Sequence, residues 1–287
     1  GSLVALVTPF REGELDEDAL MSMARWHIEQ GTHGIVPVGT TGESATLTEK
    51  EHCRVIELVV KAVDGRIPVV AGAGSNNTQE AIFYNNRAHE YGADATLHVA
   101  GYYNRPSQEG LFRHFETLSN GSKIPIFVYN IPARAIVDIL PETMARIAAL
   151  PNVVGVKDAT ADLSRPIHER MLIEGEFSYL SGEDATAVSY NAAGGNGCIS
   201  VTANIAPALC SEMQTACREG DFKRAADIQD RLMPLHLALF SEPNPAPAKY
   251  AASLLGLCSE FCRLPMVPLE DGSKTVIQKA MTDLGLI

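Results

Sequence analysis

Residues 125–158 read P-I-F-V-Y-N-I-P-A-R-A-I-V-D-I-L-P-E-T-M-A-R-I-A-A-L-P-N-V-V-G-V-K-D, and this stretch decides the fold. Its two apolar runs, 125–129 and 153–156, are rich in Val and Ile and nearly continuous in hydrophobicity. That is the pattern of parallel strands covered on both faces. Between them, 141–150 has helical spacing, so the stretch is one strand–helix–strand unit. Working outward, the alternation recurs. Strand-like runs lie at 3–8, 34–38, 68–71, 95–100, 177–180 and 197–200, and helical segments at 17–30, 48–63, 78–91, 107–118, 163–174, 184–193 and 206–219. In 17–30, Leu20, Met23, Ala24, His27 and Ile28 share one side. Segment 48–63 opens on a Thr48-x-x-Glu51 capping box and repeats Val55, Leu58, Val59 and Ala62.

Eight such units in succession predict an α/β chain folded as a (β/α)8 TIM barrel. A doubly wound sheet uses fewer strands and would carry G-x-G-x-x-G after its first strand, which this chain lacks. Residues 221–287 contain no comparable strand-like run, and Pro243, Pro245 and Pro247 mark a helix start. The expected organisation is a catalytic barrel over 1–220 and a C-terminal helical extension over 221–287. The 287 residues suit one barrel of about 250 residues plus appended helices.

With 23 basic and 35 acidic side chains the formal net charge is −12, and no Lys/Arg cluster is present. Nucleic acid and anionic membrane surfaces are therefore poor partners. No apolar run approaches the roughly 18 residues of a membrane helix. The opening GSLVALVTPFREGELDED lacks a basic n-region, and its apolar run is short. The six cysteines form no C-x-x-C pair and read as reduced, mostly buried thiols. The expected compartment is the cytoplasm. The histidines show no metal-ligand spacing and no G-x-S-x-G elbow occurs, so neither a metal, a cofactor nor a serine nucleophile is expected.

In a barrel of this kind chemistry sits at the C-terminal ends of the strands. The residues there are Thr8, residues 39–43, residues 72–74, residues 102–104, Tyr129 with Asn130 and Arg134, Lys157 with Asp158, Ser181 with Gly182, and Ser200. Of eight lysines only Lys157 ends such an apolar strand run. An amine deprived of water is pushed toward its neutral form, which can attack a ketone to give an imine. A structural salt bridge from Lys157 to Asp158 or Glu43 is the competing reading. Tyr103 and Tyr129 can supply phenol protons with Thr40 as a hydroxyl relay, or be half-buried tyrosines beside a turn threonine. Arg134, after Pro132, can grip a carboxylate in bidentate fashion or face solvent. The Gly194-Gly195-Asn196-Gly197 run precedes strand eight and so belongs to the opposite end of the barrel.

The segments Gly39-Thr40-Thr41-Gly42-Glu43-Ser44, Tyr102-Tyr103-Asn104-Arg105-Pro106, Tyr129-Asn130-Ile131-Pro132-Ala133-Arg134 and Gly155-Val156-Lys157-Asp158-Ala159-Thr160 are similar to those of the dihydrodipicolinate synthase family, and the likeness runs nearly end to end. The resemblance implies that Lys157 forms a Schiff base with pyruvate and that the enamine adds to L-aspartate 4-semialdehyde, the first committed step of the diaminopimelate route to lysine. It implies a proton relay of Tyr129, Thr40 and Tyr103, with Tyr103 lent by a neighbouring subunit of a homotetramer built from dimers. It assigns the pyruvate carboxylate to Thr40 and Thr41 and the semialdehyde carboxylate to Arg134. Gly182 and Ile199 match backbone positions lining the lysine.

For L-lysine as feedback inhibitor the matching positions are Ser44, Ala45, His52, Asn76, Glu80 and Tyr102, while Glu49 stands where His is common. Asp158 stands where many members have Glu. A sister lyase acting on N-acetylneuraminate or a 2-keto-3-deoxy sugar acid would keep Lys157 and Tyr129 but would not need Arg134 and Tyr103. A barrel that merely binds a carboxylate is the remaining alternative.

Overall fold

The computed structural model describes residues 1–99 and 101–287. Eight parallel strands form the barrel: β1 (Ser2–Ala5), β2 (Gly34–Val36), β3 (Val70–Gly72), β4 (Ala95–Val99), β5 (Ile126–Asn130), β6 (Val153–Asp158), β7 (Ser178–Ser181) and β8 (Gly197–Ser200). Each strand pairs with its neighbours in sequence, and β8 returns to β1, Ile199 opposite Leu3. The circle closes between β2 and β3 through a single parallel bridge, Ile35 with Val69. Two bonds flank that seam: Ile35 N–H donates to the Pro68 carbonyl (3.0 Å) and Gly72 N–H to that of Pro37 (2.9 Å). A Cβ on Gly72 would lie 2.2 Å from the Val38 carbonyl oxygen, so the chains meet this closely only because the residue is glycine.

Helices cover the strands: α1 (Glu17–Glu29), α2 (Glu49–Val63), α3 (Thr78–Tyr91), α4 (Gln108–Gly121), α5 (Pro141–Ala148), α6 (Arg165–Leu172), α7 (Ala187–Ala192) and α8 (Pro207–Glu219). The predicted capping box at Thr48 and Glu51 is formed. Three more helices follow, α9 (Phe222–Ala238), α10 (Ala246–Leu254) and α11 (Asp271–Asp283). No helix is long and apolar enough to cross a membrane among the described residues. Four cysteines are buried and two half-buried, all as free thiols.

The differences from the sequence reading lie at element ends. The run 34–38 stops at Val36 because Pro37 has no N–H to donate and Val38 turns into the left-handed region (φ 55°). The run 3–8 leaves the ladder early because Val7 N–H is taken by Asn204 Oδ1 (3.1 Å). The run 95–100 ends at Val99, and Ala100 lies outside the described residues. Segment 184–193 splits into a 3-10 turn, Asp184–Thr186, and α7, since the Asp184 carboxylate is held by Ser200 Oγ and the Val201 and Thr202 N–H groups. Strand β6 runs two residues further than its apolar run, so Lys157 and Asp158 are inside the ladder.

The C-terminal helices are tied to the barrel by a buried ion pair, Lys249 Nζ to Glu43 Oε1 at 2.7 Å, with side-chain exposures of 0% and 2%. The Phe10 ring lies between two cations, Lys249 Nζ at 4.3 Å and the Arg263 guanidinium at 4.4 Å from its centroid. Removing one partner of such a pair strands a charge without water. Lys249→Met is therefore expected to cost about 3–5 kcal/mol in urea unfolding, whereas the double change Lys249→Met with Glu43→Gln recovers most of the loss. Equal losses in single and double variants would refute this.

Candidate active site

The parallel pairing of β5 and β6 sets Tyr129 opposite Lys157 and Asn130 opposite Asp158, and β7 sets Leu180 beside Lys157. Side chains alternate across a strand, so Gly155, Lys157 and Ala159 turn to the barrel interior, while Asp158 turns to the helices. Tyr129, Ala159, Leu180 and Ile199 belong to one buried cluster inside the barrel with Ala5, Val36, Val70, Ala95 and Leu97. Lys157 is 7% exposed. Its Nζ stands 4.2 Å from the centroid of the Tyr129 ring, in reach of the negative face of the π-system.

No carboxylate is within ion-pair distance of Lys157 among the described residues. Glu43 is taken by Lys249, and Asp158 Oδ1 accepts from Thr160 N–H (2.9 Å). The salt-bridge reading of Lys157 is therefore not realised. Gly182 makes room for the lysine: its N–H donates to the Asp158 carbonyl (2.6 Å), and an added Cβ would meet Ala159 Cβ at 2.8 Å and Lys157 Cε at 3.1 Å. Beside it, burial pushes the Glu183 carboxyl up, with Asp184 adding and Lys157 opposing.

The turn after β2 carries the two threonines. Left-handed Val38 and Glu43 (φ 55° and 56°) bracket it. Thr40 is half-buried, and its carbonyl accepts from Glu43 N–H (3.1 Å). Thr41 is buried, and its Oγ1 accepts from Asn244 Nδ2 (3.0 Å). Thr8 Oγ1 donates to the Gly42 carbonyl (2.6 Å), joining the ends of β1 and β2.

Arg134 sits on a single helical turn, Pro132–Ala135, directly after β5; it is exposed and has no ion pair among the described residues. The return of this loop is pinned, since Asp138 accepts from Asn130 Nδ2 (2.8 Å) and from Arg165 (2.5 Å), itself buried. Tyr103 is not packed against Tyr129 within the chain. It is left-handed (φ 67°) and 95% exposed.

The remaining candidates adjoin the seam. His52 Nε2 is 2.9 Å from the Gly72 carbonyl, and its ring stacks on Tyr84 with centroids 3.8 Å apart. Burial pulls the His52 pKa down to about 4, against the Gly72 carbonyl and Glu80, which act to raise it. Glu80 accepts from Ser75 Oγ (2.5 Å) and the Asn76 carbonyl from Asn104 Nδ2 (2.8 Å). Ser44 and Ala45 form a 3-10 turn, Glu49 is exposed on the first turn of α2, and Tyr102 is 38% exposed.

Sequence reasoning missed Asn244 and Lys249, 203 and 206 residues from their partners in the threonine turn. A signal existed for the lysine, which interrupts the small apolar run Ala246-Pro247-Ala248-Lys249-Tyr250-Ala251-Ala252 on a helix with no acid nearby in sequence. It also missed Glu169, whose carboxyl burial pushes up to about 8 behind β6, with Asp158 adding to the rise.

The rim thus joins a buried amine without a counter-ion, a phenol at its side, two threonines and an exposed guanidinium, a set suited to imine chemistry on a small anionic ketone. The family model described as the dihydrodipicolinate synthetase family matches residues 1–284. A 4-hydroxy-tetrahydrodipicolinate synthase of Parvibaculum lavamentivorans is 59% identical over 287 residues, covering 100% of this chain and 99% of that protein. A crystal structure of the chloride-inhibited dihydrodipicolinate synthase of Acinetobacter baumannii, complexed with pyruvate, superposes with a TM-score of 0.97 at 42% identity, over 100% of this chain and 99% of that one. A dihydrodipicolinate synthase of Cyanidioschyzon merolae with lysine bound gives 0.96 at 37% identity, over 100% and 98%. With the barrel, the strand-end residues and these likenesses agreeing over its whole length, the chain belongs to the dihydrodipicolinate synthetase family.

Proposed function

We infer that the chain is a Schiff-base-forming lyase with 4-hydroxy-tetrahydrodipicolinate synthase activity, condensing pyruvate with L-aspartate 4-semialdehyde. The observation that carries this reading is Lys157, 7% exposed, without a carboxylate partner among the described residues and 4.2 Å from the Tyr129 ring. Lys157 attacks C2 of pyruvate and water leaves, giving the imine. Loss of a C3 proton gives the enamine, whose C3 forms the new bond to the aldehyde carbon while the alkoxide takes up a proton. The substrate amine then adds to C2, Lys157 departs as the free amine, and the ring is closed.

In this reading Tyr129 and Thr40 pass protons, with Tyr103 supplied by a neighbouring subunit of a homotetramer. The 95% exposure of Tyr103 supports that supply. Thr40 and Thr41 bind the pyruvate carboxylate, Arg134 binds that of the semialdehyde, and Gly182 and Ile199 line the lysine. Ser44, Ala45, Glu49, His52, Asn76, Glu80 and Tyr102 form the inhibitory lysine site. The barrel over 1–220 holds the reacting groups, and 221–287 is the appended helical region.

Borohydride with pyruvate is expected to leave one reduced pyruvate on Lys157 and none in Lys157→Ala. A coupled rate is expected with pyruvate plus aspartate semialdehyde and not with N-acetylneuraminate or 2-keto-3-deoxy sugar acids. Absence of the adduct would sink the enzyme reading, and turnover of sugar acids would move the substrate assignment. Tyr129→Phe should lower kcat by about 10²–10⁴-fold, the usual worth of a positioned proton donor. Arg134→Ala should chiefly raise KM for the semialdehyde, and equal effects on both substrates would deny it that carboxylate. Added L-lysine is expected to lower the rate, less so in Glu80→Gln; a rate indifferent to lysine removes that site, and a fully active monomer in sedimentation removes the borrowed tyrosine.

A further inference from the structure

The Thr40–Thr41 turn is held mostly from outside the barrel. Apart from Thr8 on the Gly42 carbonyl, its outside anchors come from the C-terminal region: Asn244 on Thr41 Oγ1 (3.0 Å), Lys249 on Glu43 Oε1 (2.7 Å) and Arg263 N–H on Glu43 Oε2 (3.0 Å). Arg263 also reaches the Thr46 carbonyl (3.0 Å) and Glu51 (2.5 Å), so the same segment grips both ends of the stretch from the turn to the start of α2. This is the place where the barrel is bonded least to itself, through one bridge between β2 and β3.

The Asn244 contact has a chemical consequence beyond anchoring. A hydroxyl has one proton to give and two lone pairs. The amide N–H of Asn244 occupies a lone pair of Thr41 Oγ1, and Thr41 Oγ1 has no acceptor for its proton among the described residues. Thr41 is 4% exposed and Asn244 7%, so little water competes for that proton. An acceptor arriving from the barrel mouth, such as a carboxylate oxygen, finds a donor already turned by its neighbour.

We propose that Asn244 is a positioning residue for the keto-acid substrate, committing the Thr41 hydroxyl to donate to the substrate carboxylate on a turn that Lys249 and Arg263 hold rigid. The proposal rests on the assignment of Thr41 to the pyruvate carboxylate. The C-terminal helices thereby set the affinity for the first substrate while leaving the amine chemistry of Lys157 to the barrel. Asn244→Asp is nearly isosteric but reverses the polarity. The Thr41 proton is then drawn to the new carboxylate, and a negative charge stands behind the group that should receive an anion.

The test is steady-state kinetics with pyruvate and aspartate semialdehyde, alongside borohydride trapping at saturating pyruvate. Asn244→Asp is expected to raise KM for pyruvate roughly ten- to a hundredfold, the worth of a hydrogen bond to a charged group. Its kcat, its KM for the semialdehyde and the trapped adduct should change little. Because Asn244 acts through Thr41, Thr41→Val should raise the same KM, and the Asn244→Leu, Thr41→Val pair should raise it no further than Thr41→Val alone. Additive effects, or an unchanged KM in folded Asn244→Asp, overturn the proposal. If Asn244→Asp does not fold, Asn244→Ser serves in the same comparison. Failure of the unaltered protein to trap pyruvate would instead count against the Schiff-base reading itself.

Discussion

The register of β5 against β6 is the constraint on which the site depends. It sets Tyr129 and Lys157 at one level on adjacent strands, both turned inward. An eight-stranded barrel has an interior just wide enough for side chains to fill, so two inward groups at one level must touch. A buried amine normally takes a carboxylate partner, because the charged form is costly without one. Here the amine meets a ring face instead, with glycine at position 182 leaving space along its stem. The two acids that the sequence offered as partners are engaged elsewhere, Asp158 with Thr160 and Glu43 with Lys249. Among the described residues Glu183, whose carboxyl Lys157 influences, forms no ion pair with it. The lysine is thereby left free to react with a ketone rather than being fixed as a counter-ion.

The contacts that hold the threonine turn, from Thr8 to the Gly42 carbonyl and from Asn244 to Thr41, show how a site can be divided between barrel and appendage. Parallel strands are held in a barrel by the ladder bonds that neighbours share. Between β2 and β3 they share one bridge, and the carbonyl of left-handed Val38 presses on Gly72. Left-handed backbone at a β-branched residue is strained and persists only where surroundings over-determine it. The surroundings here include a buried ion pair and a ring between two cations, both reaching over from residues after the barrel. The C-terminal helices are therefore part of what shapes the turn, not a cover laid over a finished barrel.

Much of this was legible in the sequence for a simple reason. Strands covered on both faces are apolar at nearly every position, so eight such runs stand out and their ends name the rim. What was not legible follows from the same physics. A ladder is made by backbone groups, so β6 continues through Lys157 and Asp158 although the apolar run ends at Val156. Pro37 and Pro68 trim strands that hydrophobicity alone extends. Asn244 and Lys249 meet Thr41 and Glu43 across more than two hundred residues, and nothing local in either segment encodes the pairing. Tyr103 is a different case: within the chain it is exposed and left-handed, and its proposed role through a second chain comes from the family resemblance alone.

The net charge of −12 bears on the substrates less than its size suggests. Both are anions, so a uniform field of that sign would repel them. Screening confines exposed charges to about 8 Å at physiological ionic strength, and several exposed arginines are already matched, as in Arg87 with Glu90 and Arg113 with Glu109 and Glu116. What an anion meets at the barrel mouth is local. Arg134 stands exposed without an ion pair among the described residues, on a loop fixed by Asp138 and Arg165. Lys157 lies at the end of β6, and the threonine turn carries Thr41, whose hydroxyl oxygen accepts from Asn244. Lys249 and Arg263, close by in the fold, add little attraction because Glu43 and Glu51 neutralise them. What sets Arg134 apart from other arginines without an ion pair among the described residues, such as Arg25 and Arg231, is its place directly after β5, and the total charge carries no information about that.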